Sequence, residues 1–249
     1  MRAAAVRARV EAALGPGFPS PFTFRERYET EAISSGVPEL DSLTGGLPRG
    51  GLTEVVGQES SGRTSLLISA LAAITARDEV SALVDAQDAF DPHSAQAAGV
   101  NLRRLLWVRC RNLEQALQAA DLLLQSGGFG LVAVDLGAVA AQTARRVPLA
   151  SWFRFRRAVE NTPTVLIVLE QEPYAKTCAS LVLRMEPHTV HWSSSLTGVS
   201  PPRSKDRPAS PPHANLLCGA RLYVEAIRSR RQRQPDGPAG RVFETKTAW

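Results

Sequence analysis

The amino-acid sequence predicts an α/β fold: a mostly parallel sheet with helices on both faces, continued by antiparallel C-terminal strands. Three observations predict it. Between Leu52 and Leu169, short apolar, β-branched runs alternate with stretches of helical periodicity, the pattern of right-handed strand–helix–strand crossovers. The last third carries strand-like runs with no helix between them. A glycine-spaced stretch, GQESSGRTS from Gly57 to Ser65, sits where the first of the strands meets the first long helix. With 249 residues, 44% of them apolar, the chain is long enough to bury one large core.

Taken in order, Ala3 to Leu14 is alanine-rich with spaced arginines and reads as a short helix, ended by the breaker stretch GPGFPSP. Residues 1–31 are therefore expected to be a helix and linker, and residues 32–249 the core domain. Turn signals crowd Gly36 to Gly51, and Leu52 to Val56 is the first strand. Ser65 to Ala76 is apolar on most faces and predicts a buried helix. Val80 to Val84 is a strand leading into DAQDAFDP, Pro92 to Ala98 a helical turn, and Leu105 to Val108 a third strand. Leu113 to Gln125 is an amphipathic helix stopped at SGGFG, and Leu131 to Val134 is a strand ending at Asp135. Trp152 to Glu160 is helical and Thr164 to Leu169 extended. Leu181 to Met185, Thr189 to Trp192, Leu216 to Ile227 and Arg241 to Glu244 then read as hairpin strands. Ser193 to His213, rich in Pro, Ser and charge, reads as a flexible loop.

Lys and Arg total 29 against 24 Asp and Glu, a formal net charge of +5. That balance permits nucleic acid or another polyanion as partner and equally suits a solvated basic surface. Cys110, Cys178 and Cys218 lack the spacing of a zinc site or a disulfide framework, which suits a reducing cytoplasm. No apolar run approaches the ~20 residues of a membrane span, and the opening residues lack the apolar block of a signal peptide.

Chemistry concentrates at GQESSGRTS. A phosphate-binding loop works because backbone N–H groups, freed by glycine, wrap an anion while the next helix presents its N-terminus. Gly57 and Gly62 have that separation; Gln58, Glu59, Ser60 and Ser61 lie between them, and Thr64 and Ser65 follow, with Thr64 placed to meet Mg²⁺. The motif expects lysine at position 63 and has Arg63. The competing reading is a tight glycine turn with Arg63 in solvent. Asp135, closing the run LVAV, is placed to hold Mg²⁺ through water, or else to cap the following turn.

Two basic stretches invite a nucleic-acid reading. In WFRFRR, Trp152, Phe155 and Val159 share a helical face and are expected to pack on the sheet, leaving Arg154 and Arg157 to solvent. RSRRQRQPDG crowds Arg228, Arg230, Arg231 and Arg233 at a hairpin tip, which suits contact with DNA or an acidic partner, or simply a soluble sheet edge. His188 and His191, three apart in a strand, point to opposite faces and are not expected to share a metal.

The stretches TEAISSGVPELDSLTGGLPRGGLTEVVGQESSGRTS, LVDAQDAFDPHSAQAAGVNLRRLL and EQALQAADLLLQSG resemble the ATP-binding core of RecA-type recombinases, from about Glu31 to Gln171 and more thinly to Val224. The resemblance implies a RecA-like P-loop NTPase core, ATP and Mg²⁺ as ligands, head-to-tail assembly and single-stranded DNA as partner. It also places Asp91 and Gln171 at the nucleotide, the glutamine as the group that senses the γ-phosphate. The departures are chemical. The family's DA-x-x-A-x-DP stretch carries a glutamate that activates the attacking water; here that place is Gln87, whose amide cannot take the proton. Arg63 is planar and bulkier than an ammonium. Ser94 stands where the family has a tyrosine that stacks on adenine. The DNA-binding loops are short: AVAAQTARRVPLA follows the Asp135 strand, and only EPYAKT, 172–177, follows Gln171.

This pattern is similar to ImuA-type accessory proteins of bacterial SOS mutagenesis, compact RecA relatives that work with an error-prone polymerase and a Y-family-like protein. It implies a DNA-repair accessory protein that binds ATP weakly or without efficient hydrolysis. The alternative is a working DNA-dependent ATPase and recombinase in which another carboxylate, such as Glu170, serves as base near the γ-phosphate.

Overall fold

The computed structural model describes residues 31–192, 217–229 and 240–246. The helix expected at Ala3 to Leu14, the loop Ser193 to His213 and the arginines Arg230, Arg231 and Arg233 lie outside the described residues. The fold is the expected one, an eight-stranded, mostly parallel sheet covered by helices.

A small antiparallel pair, β1 (Ala32–Ile33) and β2 (Leu47–Pro48), flanks α1 (Pro38–Thr44). The sequence signals only turns in this region. The seven residues Pro38–Thr44 nevertheless close a helix, because Pro38 stands in its first turn and Gly45 ends it at φ 73 with its N–H on the Asp41 carbonyl. Leu40 and Leu43 then bury against the core.

The main sheet follows as β3 (Gly51–Val56), α2 (Arg63–Thr75), β4 (Ser81–Asp85), α3 (Pro92–Ala97), β5 (Leu105–Arg109), α4 (Leu113–Ser126), β6 (Leu131–Asp135), α5 (Ala141–Ala144), α6 (Leu149–Val159) and β7 (Val165–Glu170). The long strands β8 (Leu181–Trp192), β9 (Leu217–Ser229) and β10 (Gly240–Lys246) complete it. The spatial order is β10-β9-β8-β3-β7-β6-β4-β5. Strands from β8 to β5 run parallel, while β9 pairs antiparallel with both β8 and β10. β8 is one strand where the sequence suggests two. A register shift between Pro187 and Thr189 absorbs the proline, and beyond Arg184 the strand no longer pairs with β3, so Pro187 sits along a one-sided stretch.

Strand periodicity sends alternate residues to two cores. Val55, Ala133, Ile167 and Leu169 face α1, α2 and α3, where α2 buries Leu66, Leu67, Ala70, Leu71 and Ile74. Leu52, Val56, Val134, Leu166 and Val168 face α4 and α6. Trp152, Phe155 and Val159 of α6 are buried there, as their spacing predicts, with the two rings edge to face at 5.9 Å. Arg154 pairs with Asp121 at 2.8 Å on the surface. Among the described residues no helix is long and apolar enough to cross a membrane.

Parallel register aligns the carboxyl ends of the central strands. Asp85 lies beside Asp135, Asp135 beside Leu169, and Glu170 beside Val56. A parallel sheet offers its ligand crevice at this edge.

Candidate nucleotide-binding site

Gly57 leaves β3 with its N–H on the Glu170 carbonyl at 3.2 Å, and the Ser61 N–H closes the loop on the Gln58 carbonyl at 3.2 Å. Ser60 (φ 61) and Gly62 (φ 89) are left-handed and curl the chain into α2. Gly57 has no space for a side chain. A Cβ there would lie 2.5 Å from both the Met185 carbonyl oxygen and Ser61 Oγ, so the loop rests directly on β8. Gly57→Ala is therefore expected to displace the loop and cost about 1–3 kcal/mol, read as a lower denaturation midpoint together with loss of nucleotide-analogue binding. Binding retained at wild-type stability would show that the loop does not need this seat.

The helix end fits an anion. Gly62 provides no capping side chain, so the first-turn N–H groups of α2 are left for a ligand. Gln58, Glu59, Ser60 and Thr64 are exposed along the open side of the loop, and Ser65 is half-buried. Ser61 Oγ is buried with no hydrogen-bond partner in the protein.

Arg63 departs from the reading that leaves it in solvent. It is buried, and its guanidinium donates to the Glu170 carbonyl at 2.6 Å and the Gly137 carbonyl at 3.2 Å. Burial works against its charge, while Asp135 and Glu59 favour it. The two carbonyls belong to the ends of β7 and the β6–α5 connection, so Arg63 staples the loop to the neighbouring strands. Gln171 joins the cluster, donating from Nε2 to the same Gly137 carbonyl at 3.3 Å.

Asp135 accepts the Gly137 N–H at 2.8 Å, the capping role, and stands against the Arg63 guanidinium: a Cβ on Gly137 would lie 3.0 Å from Asp135 Oδ1 and 3.1 Å from Arg63 Cζ. Burial lifts its carboxyl above the ordinary range, Asp85 adds to this, and the Gly137 N–H and Arg63 oppose it. The loop amides, Ser61 and Thr64 thus fit a phosphate group. The magnesium part fits poorly, because a guanidinium already supplies positive charge beside Asp135.

Gln87 is exposed on the β4–α3 connection, and only its backbone is fixed, N–H to Asp85 Oδ1 at 3.1 Å. Asp85 organises this turn. Its carboxylate also accepts the N–H groups of Ala89 and Phe90 and the Trp107 indole. Asp91 caps α3 by accepting the N–H groups of His93 and Ser94 and the Ser94 hydroxyl, a local set of partners that holds its carboxyl below the usual range. Sequence reasoning did not single out Asp85 or this capping use of Asp91, although Asp-Pro before a helical turn carries that signal.

Glu170 needs correction as a base near the γ-phosphate. Only its carbonyl meets the loop. Its side chain points to the α6 face, where it is buried beside Glu54 and accepts the Tyr174 N–H. The expected DNA-loop segments are tied to each other by Arg145 and Glu172, 2.6 Å apart. Of the basic hairpin residues, Arg228 is described: it is exposed on β9 and donates to the Lys176 carbonyl. His188 and His191 are exposed on β8.

The chain is 39% identical over 143 residues to Protein RecA of Caulobacter vibrioides, a match covering 57% of this chain and 40% of that protein. It is 44% identical over 115 residues to Protein RecA of Borrelia hermsii, covering 45% and 32%. It is 37% identical over 139 residues to Protein RecA of Deinococcus radiodurans, covering 55% and 38%. These matches thus span about two fifths or less of the length of the curated relatives. Among solved structures, the RadB recombinase superposes with a TM-score of 0.61 at 19% identity, covering 87% of this chain and 97% of that one, a likeness of fold. The RecA N-terminal domain family matches residues 4–147, more than half of the chain, with the glycine loop and Asp135 inside the match. The chain belongs to the RecA N-terminal domain family.

Proposed function

We propose that this chain is a RecA-fold accessory protein of DNA repair in the SOS response, which grips ATP through main-chain amides and turns it over inefficiently or not at all. It acts through contacts: with single-stranded DNA, with an error-prone polymerase or Y-family-like protein, and head to tail with its own copies. The observation that carries this reading is Arg63, withdrawn onto the Glu170 and Gly137 carbonyls beside Asp135. A cation held in this way is not available between the β- and γ-phosphates. Gln87 adds a second deficit, since its amide orients water without accepting a proton. The helix N-terminus and the exposed Thr64 keep the capacity to bind phosphate.

Equilibrium titration with a fluorescent ATP analogue, with and without Mg²⁺, tests the grip; single-turnover hydrolysis, with and without single-stranded DNA, tests the chemistry. The expected result is saturable binding with hydrolysis at background in both conditions. DNA-stimulated turnover would instead establish the working ATPase and recombinase, and absence of binding would remove the nucleotide from the function altogether.

A further inference from the structure

Glu54 and Glu170 are both fully buried, on the sheet face away from α2. Glu54 lies at the middle of β3 and pairs in register with Val168; Glu170 ends β7 opposite Val56. The two carboxyls are therefore diagonal neighbours on one face, close enough that each acts on the other. Glu54 Oε1 accepts the Ala175 N–H at 2.7 Å, and Glu170 Oε2 accepts the Tyr174 N–H at 3.4 Å. The remaining oxygens, Glu54 Oε2 and Glu170 Oε1, have no N–H or hydroxyl donor. Two carboxylates cannot hydrogen-bond without a proton, so one proton between them satisfies both orphan oxygens.

That proton has a structural consequence. The pair holds the backbone of residues 174 and 175, and so the segment that follows Gln171, against the strand ends. Beneath this segment, in the 3-10 turn Lys176–Cys178, Cys178 is fully buried. A cavity of about 210 Å³, bounded by Glu54, Pro173, Lys176, Val182, Ile227 and Arg228, lies on the Glu54 side of the pair, between it and the outside. Lys176 holds a left-handed φ of 49 at its rim.

We propose that Glu54 and Glu170 form a proton-sharing clamp that fastens the 172–178 segment to the sheet, and that loss of the shared proton releases the segment. Two buried carboxylates side by side repel, and water entering by the cavity relieves them only if the tethered backbone lifts. The proton passes to buffer and only its O–H bond breaks. Burial lifts both carboxyls, but the Ala175 N–H and, more weakly, Arg228 of β9 favour the charge of Glu54, while the Glu54 charge lifts Glu170 further, so the proton resides on Glu170. Lys176 stands at the cavity mouth, the Tyr174 hydroxyl feels Glu170, and Arg145 and Glu172 pair at the surface. Among the described residues, no charged side chain of α6 or β8 acts on the pair. The Glu170 carbonyl also anchors Gly57 and Arg63, so release slackens the glycine loop whether or not that loop binds nucleotide.

The test is labelling of Cys178 by a methanethiosulfonate reagent in a Cys110→Ala, Cys218→Ser background, as a function of pH, each rate divided by that of the unfolded chain at the same pH. The expected ratio rises with pH by about tenfold per unit, the slope of a one-proton linkage, before levelling off. Glu170→Gln, whose amide donates to Glu54 without titrating, rises much less. An equal rise in both proteins overturns the clamp. Should the cysteine background fail to fold, infrared difference spectra of the wild type against Glu170→Gln, recorded just above the ordinary carboxylate range, decide it. The carbonyl band of a protonated carboxyl is expected, and its absence overturns the proposal equally.

Discussion

Gln87→Glu alone leaves ATP hydrolysis at the wild-type level, whereas Gln87→Glu combined with Arg63→Lys raises it by roughly 10²–10⁴-fold, the usual contribution of a positioned general base. The asymmetry comes from geometry. A carboxylate at position 87 sits on an exposed turn that Asp85 already fixes, so the substitution costs little and supplies a proton acceptor. It has nothing to act on while the phosphate-facing cation is absent. Arg63 reaches both the Glu170 and Gly137 carbonyls with two arms of one planar fork. A lysine ammonium on its shorter, flexible stem does not span both and is freed toward the loop. Single-turnover hydrolysis of radiolabelled ATP by the wild type, both single variants and the double variant measures this. A large gain from Gln87→Glu alone would show that Arg63 does not disable the site, and no gain from the double variant would place the block elsewhere.

The alternation of strands and helices was legible because β-branched runs bounded by Gly, Pro and Asp have few other uses. The loop was legible for a stronger reason: Gly57 and Gly62 are forced by contacts with Met185, Ser61 and Leu222, and such constraints leave the glycine spacing written in the chain. The direction of Arg63 was not legible. It depends on carbonyls from residues 137 and 170, more than 70 positions away, which only the assembled sheet brings together. Helix α1 was hidden because seven residues are too few to show a period, and β8 because a proline interrupts its pattern. The carboxyl pair carried a signal that went unread. LTEVV and LIVLE each place a glutamate in an otherwise apolar run, and strands buried on both faces do not carry a lone charge without a partner.

That partner relation sets the second large effect. Glu54→Ala removes the acceptor of the Ala175 N–H and leaves a void between β3 and the 172–178 segment, a cost of about 2–5 kcal/mol. Glu54→Gln keeps both the acceptor and the volume and costs about 1 kcal/mol or less. The pH dependence separates this from simple loss of packing. Burial, then the neighbouring Glu54 charge, pushes the Glu170 carboxyl well above the ordinary carboxylate range. A folded-state pKa above the unfolded one means that the folded protein holds the proton more tightly, so stability falls as pH climbs from the ordinary carboxylate range to the raised pKa of Glu170 and is level beyond it. Glu170→Gln removes the Glu170 part of that fall. Asp88, Asp91 and Glu79, whose carboxyls are held low by Arg109, by Ser94 and by Arg49, lose stability in the opposite direction, as pH drops, and do so equally in both proteins. Urea denaturation of the wild type and Glu170→Gln across that range at fixed ionic strength therefore gives curves that converge in acid and separate toward neutral pH, the variant lying higher. Parallel curves would mean that the two glutamates titrate as ordinary carboxylates, and that the proton joining β3 to β7 is not there to hold the segment.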